Sequence, residues 1–132
     1  MGEPYLRQKS QSYTRFKIDA GDLSRISSSQ FSIFDFITNS FSFSPKKKQL
    51  SVKLLELLSQ QPASFPQIVA SLEARKSTVY FLCLSLERSG LIRKGESKEY
   101  ALSEGFSQAL RNYAEWWEKW VRSCQVQSSP PK

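Results

Sequence analysis

Hydrophobic residues follow a helical period most clearly in the middle of the chain. Four of them are spaced so that one face of a helix would carry them all: Val79, Leu82, Cys83 and Leu86. Ser77 predicts the start of this helix, because its hydroxyl can accept a hydrogen bond from a backbone N–H of the first turn. Gly90 predicts its end, since glycine readily adopts the left-handed conformation that terminates helices.

Two shorter helical patterns precede this helix. The first spans residues 49–60 and turns four leucines inward, namely Leu50, Leu54, Leu57 and Leu58. The second begins after Ser64, and Gln67 follows it at the spacing of a capping box. Pro45 separates both patterns from the segment before them, because proline interrupts a helix.

A hairpin pattern follows the central helix. A strand begins at Leu91, and residues 95–97 supply the glycine and small polar side chains of a turn. Residues 98–102 form the return strand. Three helices followed by a hairpin predict a mainly α fold with a small β-hairpin, and we assign this domain to residues 46–103.

An N-terminal extension over residues 13–45 precedes this domain. Residues 13–18 roughly alternate between polar and apolar side chains, which indicates an edge strand. A helix is predicted from about Ser29 to about Ser40, with a strand as the alternative. The apolar stripe of that helix consists of Phe31, Phe34, Ile37 and Phe41.

A long helix over residues 104–124 completes the predicted fold. Its hydrophobic residues alternate at spacings of four and three, the heptad pattern of a coiled-coil seam: Phe106, Leu110, Tyr113, Trp117, Trp120 and Cys124. Three tryptophans within five residues are difficult to bury in one small domain. We therefore expect a twofold homodimer, with Phe31 and Phe34 contributing to its interface. The alternative is that this helix packs back on its own domain.

The composition narrows the class of protein. A chain of 132 residues with a net charge of +7 fits one domain with extensions, and it favours a polyanionic partner. Histidine is absent and the two cysteines, Cys83 and Cys124, lie far apart, so we expect no metal site. The usual catalytic triads need histidine, and no phosphate-binding glycine loop is present, so we expect neither an enzyme nor a cofactor.

The ends of the chain and its overall hydropathy indicate where the protein works. Residues 1–12 and 125–132 are polar and lack periodicity, which predicts disordered tails. Neither a secretory signal nor a bilayer-spanning apolar segment is visible, so we expect a cytoplasmic, nucleoid-associated protein with no membrane partner. The alternative is that the phenylalanine-rich helix lies on a membrane surface beside residues 46–48, but its polar face carries serine rather than lysine.

Two short runs carry a resemblance to a known family. Residues 77–79, Ser-Thr-Val, are followed by residues 86–92, Leu-Glu-Arg-Ser-Gly-Leu-Ile. Over about residues 48–103 this pattern resembles the winged helix-turn-helix regulators of the MarR/ArsR type. The resemblance implies that the helix after Ser77 is a recognition helix and that the hairpin is a wing. It also implies a homodimeric transcriptional regulator that binds double-stranded DNA.

The candidate DNA contacts fall into groups around the recognition helix. Basic side chains on the first helix, before the recognition helix and on the hairpin would meet phosphates, and the N-terminal half of the recognition helix would reach base edges. The phosphate contacts are Lys46, Lys47, Lys48, Arg75, Lys76, Arg93, Lys94 and Lys98, and the base-facing residues are Ser77, Thr78, Tyr80, Phe81 and Ser85. Ordinary solvated surface charge is the alternative interpretation of the basic residues.

The outer face of the recognition helix departs from the family pattern. Recognition helices of the family usually carry polar or basic groups where this chain has Tyr80, Phe81 and Leu84. The two aromatic residues are suited to thymine methyl groups, to burial under the N-terminal extension, or to a protein partner. A winged-helix module for protein interaction is therefore one alternative function. A replication or partition protein of the plasmid or virus type, which would share the DNA-binding domain, is another.

Overall fold

The computed structural model describes residues 15–18, 26, 27 and 29–128, and the fold below refers to these residues. The elements, in chain order, are α1 (Ile33–Ser40), α2 (Pro45–Gln60), β1 (Ala63–Ser64), α3 (Phe65–Leu72), α4 (Lys76–Ser89), β2 (Ile92–Lys94), β3 (Glu99–Leu102) and α5 (Gly105–Ser128). The prediction of a mainly α chain with a small β-hairpin is confirmed. The tail predicted at residues 1–12 lies outside the described residues.

Helices α2, α3 and α4 bury their apolar faces against one another and form the core. Their buried side chains are Leu50, Leu54, Leu55 and Leu58 from α2, Ile68 and Leu72 from α3, and Val79, Leu82, Cys83 and Leu86 from α4. Each large side chain buried in this way stabilises the fold by about 1.5–3 kcal/mol. The predicted inward face of α4 is therefore confirmed in full, while Leu57 of α2 is only partly buried.

Helix α2 begins earlier than the sequence pattern predicted. Ser44 is its N-cap and accepts a hydrogen bond from the backbone N–H of Lys47 at 3.2 Å, and Pro45 occupies the first turn. Pro45 does separate this helix from α1, as predicted, but the predicted start at residue 49 was wrong, because proline fits the first turn, where its missing N–H would be unpaired anyway. Residues 46–48 consequently belong to the first turn of α2.

The connection from α3 to α4 is short. At the start of α3 the predicted capping box is confirmed, since Ser64 and Gln67 each accept a hydrogen bond from the other's backbone N–H. Helix α3 ends at Glu73, which adopts a left-handed conformation with φ 50°. The N-cap of α4 is Arg75, without a side-chain hydrogen bond, so the assignment of Ser77 as the cap was wrong.

The predicted hairpin is present and gains a third strand. Strands β2 and β3 pair antiparallel, with Lys94 opposite Tyr100, and β1 pairs with the other edge of β3. Strand β1 lies immediately before α3 and was not predicted from the sequence. At the tip, the N–H of Lys98 donates to the carbonyl of Gly95 at 3.0 Å, and Lys98 has a positive φ of 66°.

The N-terminal extension differs from its prediction in register. Helix α1 begins after Ser32, which forms a capping box with Asp35, rather than after Ser29. Ile37 is buried, but Phe34 points to solvent and Phe41 lies beyond the helix in extended backbone. The predicted stripe along one helix was therefore wrong in part, because the capping box moves the helix start by a turn.

An aromatic cluster joins this extension to the start of α5. Phe16 pairs with Phe41 through an isolated antiparallel bridge, so the strand predicted for residues 13–18 is reduced to one bridge within the described residues. The ring of Phe106 lies 5.0 Å from that of Phe16, 5.7 Å from that of Phe36 and 5.9 Å from that of Phe41, measured between centroids. Phe106, which was predicted at a dimer interface, thus packs within its own chain.

Helix α5 projects away from this cluster. Every side chain from residue 111 to residue 120 is exposed. The helix continues to Ser128, into the segment that was predicted as a disordered tail, and residues 129–132 lie outside the described part of the chain. The alternative in which α5 packs back on its own domain along its length does not fit this exposure.

Gly90 is the point where α4, the hairpin and α5 meet. Its φ is +86°, and a Cβ built there would lie 2.5 Å from the backbone nitrogen of Phe106 and 2.7 Å from the carbonyl carbon of Gly105. Both obstacles are backbone atoms, so no side-chain rotation can relieve the overlap.

We expect Gly90→Ala to lower the free energy of unfolding by about 2–5 kcal/mol, through left-handed strain and steric overlap together. Denaturant unfolding followed by circular dichroism measures the change. Gly95→Ala is the matched control, because its nearest neighbour would be 3.8 Å away, and its effect should stay within about 0.5 kcal/mol. Equal stability of the two variants would contradict the prediction.

Candidate nucleic-acid interface

Helix α4 presents the first half of its outer face to solvent. Tyr80 is 52% exposed and Phe81 is 49% exposed, whereas the inner face of the same helix is buried. The two rings lie edge to face with their centroids 5.4 Å apart. Ser77 is also exposed and Thr78 is half-buried. The residues predicted to face bases in this half of the helix are therefore accessible.

Ser85, the last of the predicted base-facing residues, is buried. Its side chain has no exposed surface, and its hydroxyl accepts a hydrogen bond from the Nζ of Lys47 at 2.9 Å. The prediction that Ser85 reaches a base edge was wrong, because residue 85 lies on the side of α4 that faces α2. A helical position alone did not reveal this, since serine fits either face.

Lys47 was predicted to contact a phosphate, but its side chain is turned towards α4. Besides its bond to Ser85, its Nζ lies 4.3 Å from the centroid of the Phe43 ring, a cation–π distance. Burial lowers the pKa of the Lys47 ammonium below its usual value. The side chain thus connects α2 to α4 from within, while Lys46 is exposed and Lys48 is half-buried on the same turn.

The first turn of α2 lies next to the outer face of α4. A recess of about 230 Å³ separates them, lined from α2 by Lys46, Lys47 and Leu50 and from α4 by Thr78, Phe81 and Leu82. Because no acidic residue occupies the first turn of α2, its lysines add to the positive end of the helix dipole. This side of α4 is consequently electropositive.

The hairpin brings a second set of cations to α4. Arg93, Lys94 and Lys98 are exposed, and the Nζ of Lys94 lies 5.6 Å from the centroid of the Tyr100 ring. Strand β2 of the hairpin packs against α4. Arg75 and Lys76, at the start of α4, are exposed as predicted.

Cys83 lies inside this arrangement, on the buried face of α4. Burial, with a smaller contribution from Glu87, raises the pKa of its thiol to about 11, while Lys94 acts in the opposite direction. A thiol with such a pKa carries almost no thiolate at neutral pH, so it is a poor nucleophile and a poor metal ligand. Cys83 therefore fills space in the core, as the sequence pattern predicted.

A second exposed surface lies on α5. Tyr113 is 76%, Trp116 62%, Trp117 57% and Trp120 48% exposed. The ring of Trp120 is stacked near those of Trp117 and Trp116, at centroid distances of 5.4 Å and 6.3 Å. Of the residues predicted for a dimer interface, these aromatic groups and Phe34 are accessible, Leu110 and Phe31 are half-buried, and Phe106 is engaged elsewhere.

Within the part of the chain that the structure describes, no three metal-binding side chains come together. None of its helices is long and apolar enough to cross a membrane.

Comparison with known proteins gave one match. A family model, described as an archaeal family, matches residues 51–122, which is more than half of the chain. The matched region runs from α2 through the hairpin and most of α5. No curated protein and no solved structure matched the chain.

We expect the Cys83 thiol to be unreactive in the folded protein. In a Cys124→Ser variant at pH 8, a thiol reagent should modify Cys83 about a hundredfold more slowly than in the same variant unfolded by guanidinium, because both the raised pKa and burial oppose the reaction. The Cys83→Ser variant, which retains the half-buried Cys124, serves as the comparison. Equal rates for Cys83 in the folded and unfolded states would contradict its placement in the core.

Proposed function

The chain belongs to this archaeal family, and we propose that it is a winged helix-turn-helix protein that binds double-stranded DNA as a homodimeric transcriptional regulator. One observation carries the proposal. The accessible outer face of α4 borders the lysine-rich start of α2, and the same helix packs against strand β2 of the basic hairpin.

The order and packing of the elements support this function. Helices α3 and α4 are joined by a tight turn at Glu73, as in helix-turn-helix units. Helix α4 is then the recognition helix, which lays its N-terminal half in the major groove. The hairpin follows immediately after Gly90, in the position of a wing.

The charge distribution supports a phosphate backbone as the partner. Arg75 caps α4 without a side-chain hydrogen bond, so the first N–H groups of α4 remain available to a phosphate oxygen. The lysines at the positive end of α2 are unfavourable by about 0.3–1 kcal/mol each in the free protein, and a polyanion beside them removes that cost. Lys46, Lys48, Arg93, Lys94 and Lys98 supply phosphate contacts, whereas Lys47 acts through its bond to Ser85.

The exposed aromatic face of α5 supports a second copy of the chain as its partner. A continuous apolar face of this kind is uncommon on an isolated soluble domain. Its heptad spacing is self-complementary, as a twofold interface requires. Because Phe106 is fixed to its own domain, the seam between copies starts at Leu110 and continues through Tyr113, Trp117 and Trp120. Such a dimer would present two copies of α4 to successive major grooves, about 34 Å apart.

A protein-interaction module remains the second candidate, because Tyr80 and Phe81 form an exposed apolar pair. Salt separates the two functions. Binding to DNA through phosphates weakens steeply as salt rises, whereas docking of an apolar face does not. Retention on a DNA column measured against salt concentration therefore distinguishes them.

We expect the double variant Arg93→Ala, Lys94→Ala to bind all DNA sequences more weakly and to reduce the salt slope by about 1.8, if each side chain contacts one phosphate. Gel-shift titrations at several salt concentrations measure both quantities. The control Lys119→Ala, Arg122→Ala removes the same charge from exposed positions on α5 and should leave the slope unchanged. An affinity equal to that of the parent would contradict the assignment of the hairpin as a DNA-contacting wing.

We expect Trp117→Glu to convert the dimer to a monomer, because an unpaired carboxylate in an apolar seam is strongly unfavourable. Light scattering at matched concentrations gives the mass. Gln108→Glu adds the same charge at an exposed position on the opposite side of the heptad and should leave the dimer intact. A dimer that persists in the Trp117 variant would remove α5 from the interface.

A further inference from the structure

We propose that Tyr80 and Phe81 make the interface selective for thymine, by contacting its 5-methyl group in the major groove. This inference rests on the proposed function and adds to it the base that α4 recognises. It starts from an unusual feature of α4, an apolar pair at the place where a DNA-reading helix presents side chains to bases.

The two rings form a defined surface rather than two loose side chains. They are neighbours in the sequence, and their planes meet at 74° with the centroids 5.4 Å apart. Edge-to-face pairs of this kind attract each other, so each ring restrains its neighbour. We refer to Tyr80 and Phe81 together as the aromatic ridge.

The chemistry of base edges selects the partner of this ridge. The major-groove edge carries hydrogen-bond donors and acceptors, and the methyl group of thymine is the largest apolar group among them. The ring of Phe81 cannot form a conventional hydrogen bond, so against a polar edge group it would displace water without replacing the lost hydrogen bonds. A thymine methyl offers Phe81 more apolar surface than the C5–H group of cytosine, and covering it leaves no polar group unpaired.

The surroundings of the ridge direct it towards a base rather than towards a protein. Phe81 shares the recess beside α4 with Lys46 and Thr78, so a cation and a hydroxyl lie on the border of the apolar surface. Arg75 and Lys76 are exposed at the preceding helix end. A duplex offers this combination, because its methyl groups lie between two rows of phosphates.

Removal of a single methyl group tests the proposal. Duplexes that bind the full-length protein are selected from a random-sequence pool. Each is then compared with the same duplex containing deoxyuridine in place of thymine, which changes nothing except the methyl groups. We expect the affinity to fall about fourfold for each contacted methyl, the value for burying one such carbon.

Variants assign this discrimination to the ridge. The double variant Tyr80→Ala, Phe81→Ala should bind the thymine and deoxyuridine duplexes equally, and Phe81→Leu, which keeps an apolar contact, should retain part of the difference. Ile18→Ala is the control, since Ile18 is an exposed apolar residue of the N-terminal extension with no part in the proposed contacts, and it should discriminate as the parent does. Thermal unfolding of each variant checks that the fold is retained, which is expected because both side chains are exposed.

The possible outcomes separate this inference from the function on which it rests. Equal binding of thymine and deoxyuridine duplexes by the parent would overturn the inference and leave duplex binding in place. Discrimination that persists in the double variant Tyr80→Ala, Phe81→Ala would overturn the assignment to the ridge. Failure to retain any duplex would overturn the proposed function itself. Tighter binding of single strands than of duplexes would replace methyl contact with base stacking and so refute the inference.

Discussion

Three elements depend on the corner formed by Gly90: the end of α4, the base of the hairpin and the start of α5. The left-handed backbone turns the chain out of α4, and the N–H of Leu91 donates to the carbonyl of Leu86 at 3.1 Å. Where the hairpin returns, Ser103 N–H donates to the Leu91 carbonyl, and Phe106 N–H donates to the Gly90 carbonyl, each at 2.9 Å. All six donors and acceptors of these three hydrogen bonds are backbone groups, so one residue without a Cβ fixes the relative orientation of the three elements.

The start of α2 is held against α4 by a different kind of contact. The ammonium group of Lys47 is brought in among apolar groups, where an unpaired charge would be costly. The hydroxyl of Ser85 and the ring of Phe43 offset that cost. This half-buried contact joins the first turn of α2 to α4, so the exposed Lys46 of the same turn lies beside the outer face of α4.

The sequence was sufficient to predict those features that depend on local spacing and on residue types with one common structural role. The buried face of α4, the stop at Gly90 and the capping box at Ser64 were all predicted, because spacing and capping chemistry are local properties. It was insufficient to predict side-chain contacts between residues that are distant in the sequence. The pairing of Lys47 with Ser85 joins positions far apart in the chain, and no periodicity reveals which serine or which lysine turns inward. The start of α2 was predicted four residues too late for a simpler reason, since proline is found both after helix ends and in the first turn of helices.

The projection of α5 has a consequence for optical spectroscopy. All three tryptophans of the chain lie on this one helix, at positions 116, 117 and 120, and none lies in the core formed by α2, α3 and α4. Intrinsic emission excited at the red edge of protein absorption therefore reports the environment of α5 alone. Unfolding of the core changes the far-ultraviolet circular dichroism but has little effect on tryptophan fluorescence. The two measurements on the same sample would therefore follow different transitions.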